Sequence, residues 1–174
     1  GFVVEKGVGG IETAFVGTYG NGGPVIGILG EYDALASLSQ KGGVAKKEPI
    51  VPGANGHGCG HNLLGTASLA AAFAIKDYLE KHNINGTVKY FGCPGEEGGS
   101  GKTYMVREGV FDGVDVALTW HPGYENEVMS YRTLANYQVY FRFEGISSHA
   151  AASPHLGRSA LDAVELMNMG VNYL

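Results

Sequence analysis

The sequence has few of the features that mark membrane, disulfide-rich or nucleic-acid-binding proteins. Its longest apolar run, Leu69 to Ile75, has seven residues, whereas a membrane-spanning helix needs about 20. Two cysteines cannot form a disulfide framework, and the first residues lack the basic-then-apolar pattern of a signal peptide. The net charge of −5 argues against a nucleic-acid partner, which binds a basic surface. We therefore expect a cytoplasmic protein with neither a membrane nor a nucleic acid as its partner.

Glycine, by contrast, is abundant. The chain has 29 glycines in 174 residues, more than twice the usual share of about 7%. No Gly-X-Y period runs through the sequence, and 44% of the residues are hydrophobic, so neither collagen nor a flexible linker fits. The glycines concentrate in residues 7–30, 53–65 and 92–101. Such clusters indicate tight turns and close approach of backbone segments.

Apolar periodicity predicts alternating strands and helices. Residues 11–19 and 25–29 look like a hairpin with a turn at 20–24, and Asn62 is a candidate N-cap for the first helix. The further predictions are strands at 87–93, 114–120 and 137–144 and helices at 63–81, 102–108 and 157–174. This alternation predicts an α/β fold with a mostly parallel sheet flanked by helices.

The segment 53–62 places two histidines and one cysteine directly before the first predicted helix. Cys59 and His61 are two residues apart and point the same way in extended backbone. Thiolate and imidazole both bind zinc well, and the flanking glycines would let the backbone bend around an ion. A glycine-rich turn with a free cysteine and solvated histidines is the other interpretation.

A second candidate follows the strand at 87–93, where Glu96 and Glu97 stand between glycines. One carboxylate could hold a metal while the other takes a proton from metal-bound water, although a charged surface turn also explains the pair. Gly101-Lys102-Thr103 imitates the end of a phosphate-binding loop, but residue 96 is not the glycine that this motif requires. We therefore do not expect nucleotide binding.

Three further residues follow predicted strands. His121 ends the strand at 114–120, and Asp33 follows the strand at 25–29. Ligand sites of open α/β sheets lie at the carboxyl ends of strands, so Cys59, His61, Glu97 and His121 together could hold a divalent metal. Asp33 either orients a ligand or caps a turn. His149 lies in a loop of small residues, which an exposed turn explains equally well.

Taken together in this order, the segments resemble the zinc-type metallopeptidase family that contains aminoacylases, carboxypeptidase G and amino-acid-conjugate amidohydrolases. The resemblance covers nearly the whole chain from about residue 25. The matching stretches are His57-Gly58-Cys59-Gly60-His61-Asn62-Leu63-Leu64-Gly65, Cys93 to Lys102, Leu118-Thr119-Trp120-His121-Pro122, and His149 to Ala163.

The resemblance implies a catalytic domain with a two-metal site, occupied by zinc or manganese. Glu96 corresponds to the general base, and Asp33 to a carboxylate behind the ligands. His149 corresponds to a residue of a ferredoxin-like lid domain that reaches a neighbouring subunit's site and steadies the developing oxyanion. The positions that correspond to metal ligands are Cys59, His61, Glu97 and His121.

The family resemblance also implies the domain organisation and the substrate. We expect a partial catalytic domain at 1–131 and the first strand and helix of a lid and dimerisation domain at 132–174, in a homodimer or a hetero-oligomer with a related subunit. The expected substrate is a small amide with a free carboxylate: an N-acyl amino acid, an aminobenzoyl-glutamate-like conjugate or a dipeptide.

Several departures from the family pattern leave an alternative open. Asn62 replaces a common Asp, Ala36 replaces a common Pro, and Glu31 stands where some branches have a metal-binding His. The last ligand His of the family lies near the C-terminus of its members and has no counterpart in residues 1–174. We therefore expect the chain to be a fragment that is inactive alone, and a non-catalytic metal-binding or interaction module is the alternative function.

Overall fold

The computed structural model describes residues 1–130 and 132–174, which divide into two compact units, Gly1–Asn126 and Glu127–Leu174. The first unit contains a five-stranded sheet with the strand order β1-β2-β4-β3-β5. Its strands are β1 (Val3–Lys6), β2 (Phe15–Asn21), β3 (Val25–Glu31), β4 (Gly86–Cys93) and β5 (Val116–Leu118). The helices are α1 (His61–His82), α2 (Glu96–Gly99) and α3 (Gly101–Arg107).

The sheet is mixed, and its parallel part carries the predicted α/β character. Strand β3 pairs in parallel with both β4 and β5, while β2 pairs antiparallel with β1 and β4. Helix α1 connects the parallel neighbours β3 and β4, as a crossover between parallel strands requires. The α/β fold expected from the alternating pattern is therefore confirmed.

The predicted hairpin is wrong, because β4 lies between the two strands that were expected to pair. Phe15 on β2 is opposite Gly92 on β4, and Val25 on β3 is opposite Thr87 on β4. The segment between β2 and β3 crosses the start of β4, where the Thr87 hydroxyl donates to the Gly22 carbonyl at 2.7 Å. The intervening turn therefore spans the width of a third strand.

Apolar residues cover both faces of the sheet. Val88 and Tyr90 of β4 pack with Ile28 and Ala72 on the side of α1. On the opposite face, Phe91 and Cys93 join Val8, Ala14, Val16 and Met105 of α3. This alternation along β4 is the period-two pattern of a strand buried on both faces.

Helix α1 begins earlier than the sequence predicted, and its N-cap is different. Gly60 is the N-cap, with φ of +97°, and His61 is already helical. Asn62 therefore lies in the first turn and does not cap the helix. Gly60 has the left-handed conformation that glycine adopts without strain, and a Cβ there would lie 3.0 Å from Cγ of Pro122.

The second unit contains helix α4 (Ala160–Val171), which is capped by Ser159, whose hydroxyl accepts from the Asp162 amide at 3.1 Å. Residues Ile146 and Arg158 form an antiparallel bridge ahead of it. The structure contains no strand over the predicted range 137–144, where Tyr137 and Tyr140 are almost fully exposed. A strand needs a neighbour for its backbone groups, and the described residues of this unit offer none. No helix among the described residues is long and apolar enough to cross a membrane.

Candidate metal centre

Most of the candidate residues follow the ends of three parallel strands, at one edge of the sheet. Strand β3 ends at Glu31, two residues before Asp33, and β4 ends at Cys93, just before α2. Strand β5 ends at Leu118, three residues before His121. Because β4, β3 and β5 are adjacent and parallel, their carboxyl ends meet, which is where ligand sites of such sheets form.

His61 lies at the centre of this edge, at the start of α1. Its side chain is 1% exposed. One turn later, Gly65 contacts strand β3 so closely that a Cβ would lie 2.7 Å from the Glu31 carbonyl oxygen. The Tyr90 hydroxyl donates to the Gly65 carbonyl at 3.0 Å, so α1 is held against both β3 and β4.

Carboxylates approach both ring nitrogens of His61. On the Nδ1 side, Oδ1 of Asp33 lies at 3.0 Å and Oε1 of Glu97 at 3.8 Å. On the Nε2 side, Oε2 of Glu31 lies at 3.1 Å and Oε2 of Glu96 at 3.8 Å. Four acidic side chains around one imidazole form a strongly negative site, which attracts cations.

Asp33 links His61 to α2. Its Oδ1 is the acceptor nearest to Nδ1 of His61, and its Oδ2 accepts the backbone N–H of Glu97 at 2.8 Å. A carboxylate only accepts hydrogen bonds, so the proton of the neutral imidazole is placed on Nδ1. The lone pair of Nε2 is then available, which is how a carboxylate behind a histidine prepares it for a metal.

Cys59 and His121 form the other side of the site. The Cys59 Sγ lies 3.3 Å from Nε2 of His121. The opposite nitrogen, Nδ1 of His121, is 3.0 Å from the Pro122 carbonyl oxygen. A carbonyl can only accept, so Nδ1 of His121 donates and Nε2 presents a lone pair towards the thiol. The indole N–H of Trp120 donates to the Leu64 carbonyl at 3.3 Å and ties this segment to α1.

The local charges act on the Cys59 thiol. Burial, followed by a hydrogen bond with Glu97 and repulsion from its charge, raises the pKa of the Cys59 thiol above its ordinary value. Glu96 and Glu31 act in the same direction. The thiol therefore holds its proton at neutral pH unless a cation balances the carboxylates, and a divalent metal would displace that proton.

Two groups of side chains have the spacing to hold a cation. Cys59, His61 and His121 form one group, and Glu31, His61 and Glu96 form the other, with candidate ligand atoms within 4.8 Å of one another in each. Nε2 of His61 and Oε1 of Glu97 are buried without a hydrogen-bond partner. Buried polar atoms normally have partners, so these two orphaned acceptors, in a set of sulfur, nitrogen and oxygen donors, fit a divalent metal.

The structure thus brings together six of the seven residues that the sequence singled out. Asp33, Cys59, His61, Glu96, Glu97 and His121 converge at the sheet edge. His149 belongs to the second unit, where its Nδ1 accepts the backbone N–H groups of Ala151 and Ala152 at 3.2 and 3.0 Å. The proton of its neutral ring therefore sits on Nε2.

Sequence reasoning missed one ion pair in the site. The Lys102 ammonium contacts Oε1 of Glu31. From the sequence, Lys102 belonged only to a segment similar to the end of a phosphate-binding loop, and Glu31 had no assigned role. The sequence feature that could have indicated this pair is Glu31 itself, an acidic residue at the end of an apolar strand. Such a buried carboxylate requires a cationic partner.

Comparison with known proteins supports the family resemblance. Residues 27–169 match the sequence profile described as Peptidase family M20/M25/M40. The B subunit of the p-aminobenzoyl-glutamate hydrolase of Escherichia coli (strain K12) is 63% identical over 174 residues, which cover 100% of this chain and 36% of that protein. The Xaa-Arg dipeptidase of Mus musculus is 34% identical over 151 residues, covering 86% of this chain and 31% of that protein.

Solved structures agree with these sequence matches. A structure from methicillin-resistant Staphylococcus aureus, described as that of a candidate aminohydrolase, superposes with a TM-score of 0.59 and 25% identity. The match covers 98% of this chain and 46% of that one. The chain spans about a third of the length of the curated relatives it matches. On the extent of the profile match and the identity to these relatives, the chain belongs to peptidase family M20/M25/M40.

Proposed function

We propose that the full-length protein carrying this chain is a metal-dependent amidohydrolase. Cys59, His61, Glu97 and His121 would hold the divalent ions. The observation that carries this proposal is the pair of orphaned buried acceptors, Nε2 of His61 and Oε1 of Glu97, beside the thiol of Cys59 and Nε2 of His121. Zinc and manganese both suit this set, because the thiolate favours zinc and the carboxylates accept either metal.

The proposed chemistry divides between the bound ions and two side chains. Two divalent ions would lower the pKa of a water molecule and polarise the amide carbonyl. Glu96 is the general base: its carboxylate is 44% exposed, so it is open to a water and a substrate, and Oε2 lies 3.8 Å from Nε2 of His61. Glu96 takes the proton from water and returns it to the leaving amine.

His149 is the proposed stabiliser of the developing oxyanion, supplied by the lid domain of a partner subunit. Its Nδ1 accepts two backbone N–H groups, so Nε2–H is the donor of the neutral ring. A donor held in this way costs little reorganisation when negative charge develops on the carbonyl oxygen. The partial catalytic domain and the lid element that we expect at 1–131 and 132–174 fit this division of labour.

The names of the relatives suggest the substrate and the partner to test first. The Escherichia coli relative is one subunit of a p-aminobenzoyl-glutamate hydrolase, and the mouse relative is a dipeptidase. Both names refer to small amides, so we propose aminobenzoyl-glutamate, N-acyl amino acids and dipeptides as substrates. Because the bacterial relative is named as a B subunit, assembly with a related subunit is the alternative to a homodimer.

The Glu96→Gln variant of the full-length protein tests this mechanism. Removing a general base lowers kcat by at least about 10²-fold, whereas the metal content should be unchanged because Glu96 is not in the proposed ligand set. The control is Glu108→Gln, which removes a carboxylate paired with Arg107 outside the site and should leave both quantities unchanged.

Metal content is measured by atomic absorption, and turnover by release of p-aminobenzoate. Wild-type turnover by Glu96→Gln would refute the assignment of the base. An unsubstituted protein that binds metal and hydrolyses none of the three substrate classes would instead support the non-catalytic metal-binding alternative.

A further inference from the structure

Lys102 is held beside the metal-facing edge of the sheet by the backbone. It is the second residue of α3, after Gly101, where a Cβ would lie 2.0 Å from the Pro94 carbonyl oxygen. Only glycine allows this close approach. The start of α3 is therefore pressed against the end of β4, and the Lys102 side chain, 30% exposed, extends to Glu31 on the neighbouring strand β3.

The two oxygens of Glu31 have different partners. Oε1 contacts the Lys102 ammonium, and Oε2 lies 3.1 Å from Nε2 of His61. That nitrogen has no hydrogen-bond partner, so the approach of Oε2 is not a hydrogen bond. With the Nδ1 proton directed to Asp33, a carboxylate oxygen faces a lone pair, and a cation bound between them would replace this repulsion with attraction to both atoms.

Lys102 also has a distinct place in the charge balance. Four carboxylates surround His61, those of Glu31, Asp33, Glu96 and Glu97. Among the ion pairs formed within residues 1–130 and 132–174, the only lysine or arginine bonded to one of these four is Lys102. The pair is also selective, because it engages one oxygen of a side chain that is 10% exposed and leaves the other turned to the site.

We propose that Lys102 is a positioning residue for the metal centre. Its ion pair fixes Oε1 of Glu31 so that Oε2 stays beside Nε2 of His61 and faces the cation bound there; this inference rests on the proposed function. Partners behind a ligand typically contribute 10- to 100-fold to metal affinity. Loss of the Lys102 charge should therefore weaken metal binding without any change in the ligands themselves.

Titration of the metal-free full-length protein with Co²⁺ tests the proposal, with visible absorption as the readout. Lys102→Met keeps most of the length of the side chain and removes its charge, so the Co²⁺ affinity should fall about 10- to 100-fold and the absorption spectrum should change. Lys102→Arg should restore most of the affinity. The matched control is Lys41→Met, which breaks the exposed Lys41–Glu48 pair in the loop that precedes α1. It should leave the affinity and the spectrum unchanged.

Glu31→Gln provides a second variant that removes the ion pair from its other side together with the charge that faces the cation, so a wild-type affinity in this variant overturns the proposal even if Lys102→Met does not fold. Its Co²⁺ affinity should fall by at least the same factor as that of Lys102→Met. If both variants fold, the double variant should lose no more affinity than Glu31→Gln alone, because Lys102 acts through Glu31.

The outcomes separate this inference from the proposed function. Wild-type affinity and spectrum in Lys102→Met or in Glu31→Gln would overturn the role of Lys102 and leave the metal centre standing. A raised KM for the amide substrate with unchanged Co²⁺ binding would overturn it as well, because Lys102 would then bind the substrate carboxylate directly. If the unsubstituted protein binds no Co²⁺, both proposals fail.

Discussion

Asp33→Asn is the substitution that most directly probes how the site prepares His61. The aspartate accepts from Nδ1 of His61 at 3.0 Å and from the Glu97 backbone N–H at 2.8 Å. An asparagine of the same shape has one oxygen and one NH₂ group. Since the Glu97 N–H can only donate, the amide oxygen must stay on it, and the NH₂ group must then face Nδ1.

The consequence for His61 follows from the donor count. An NH₂ group facing Nδ1 makes that nitrogen an acceptor, so the proton of the neutral ring moves to Nε2. The nitrogen that was orphaned and ready for a metal is then blocked. Losing a partner of this kind costs 10- to 100-fold in metal affinity, which is about 1.4 to 2.8 kcal/mol of binding free energy.

The prediction is measured by zinc titration against a competing chelator, with the tautomer of His61 read from imidazole ¹⁵N shifts of the metal-free protein. The control is Asp115→Asn, since Asp115 also accepts a backbone N–H, that of Val25 at 2.8 Å, but lies at the opposite end of the parallel strands. It should leave the zinc affinity unchanged. Wild-type zinc affinity in Asp33→Asn, together with an Nε2 proton on His61, would refute the reasoning.

Two further predictions concern the thiol and the packing of α1. Burial and Glu97 raise the pKa of the Cys59 thiol above its ordinary value, so metal uptake at neutral pH must release the thiol proton. Zinc affinity should therefore rise with pH by up to about tenfold per unit for this proton. Cys59→Ser should flatten the slope, and an unchanged slope would contradict the role of the thiol. Gly65→Ala places a Cβ 2.7 Å from the Glu31 carbonyl oxygen and should lower the unfolding free energy by about 1–3 kcal/mol in urea titrations. Gly170→Ala, on helix α4 with nothing within 4 Å of its added Cβ, should be neutral or stabilising, and equal effects of the two glycine substitutions would count against close packing at Gly65.

The parts of the fold that the sequence predicted are those set by local pattern. Strand β4 was expected at 87–93 and forms at Gly86–Cys93, and α1 was expected at 63–81 and forms at His61–His82. The periodicity of apolar residues is clear in both elements, because α1 buries one face and β4 buries two. The meeting of Asp33, Glu96 and His121 at one edge followed from the parallel strand ends, which needed no knowledge of side-chain geometry.

The parts that were missed depend on contacts between distant segments. Residues 11–29 have the turn composition of a hairpin, and nothing within them reveals that β4 inserts between the two strands. Gly60, and not Asn62, is the N-cap, and a Cβ at Gly60 would lie 3.0 Å from Cγ of Pro122, a residue that follows another strand and that the local sequence does not indicate as a neighbour. The Glu31–Lys102 pair likewise joins residues 71 positions apart, so its meaning emerges only when β3 and α3 are packed together.

The insertion of β4 between β2 and β3 has a consequence for how the chain reaches its native state. Phe15 pairs with Gly92, and Glu31 pairs with Cys93. The middle of the sheet therefore forms through contacts between residues far apart in the sequence, and such contacts form slowly compared with local structure. Glu96 and Glu97 follow β4 directly, while Asp33 follows β3. The acidic side chains therefore surround His61 only when β4 is docked between its neighbours, and a metal that binds them would stabilise the sheet in this arrangement by mass action.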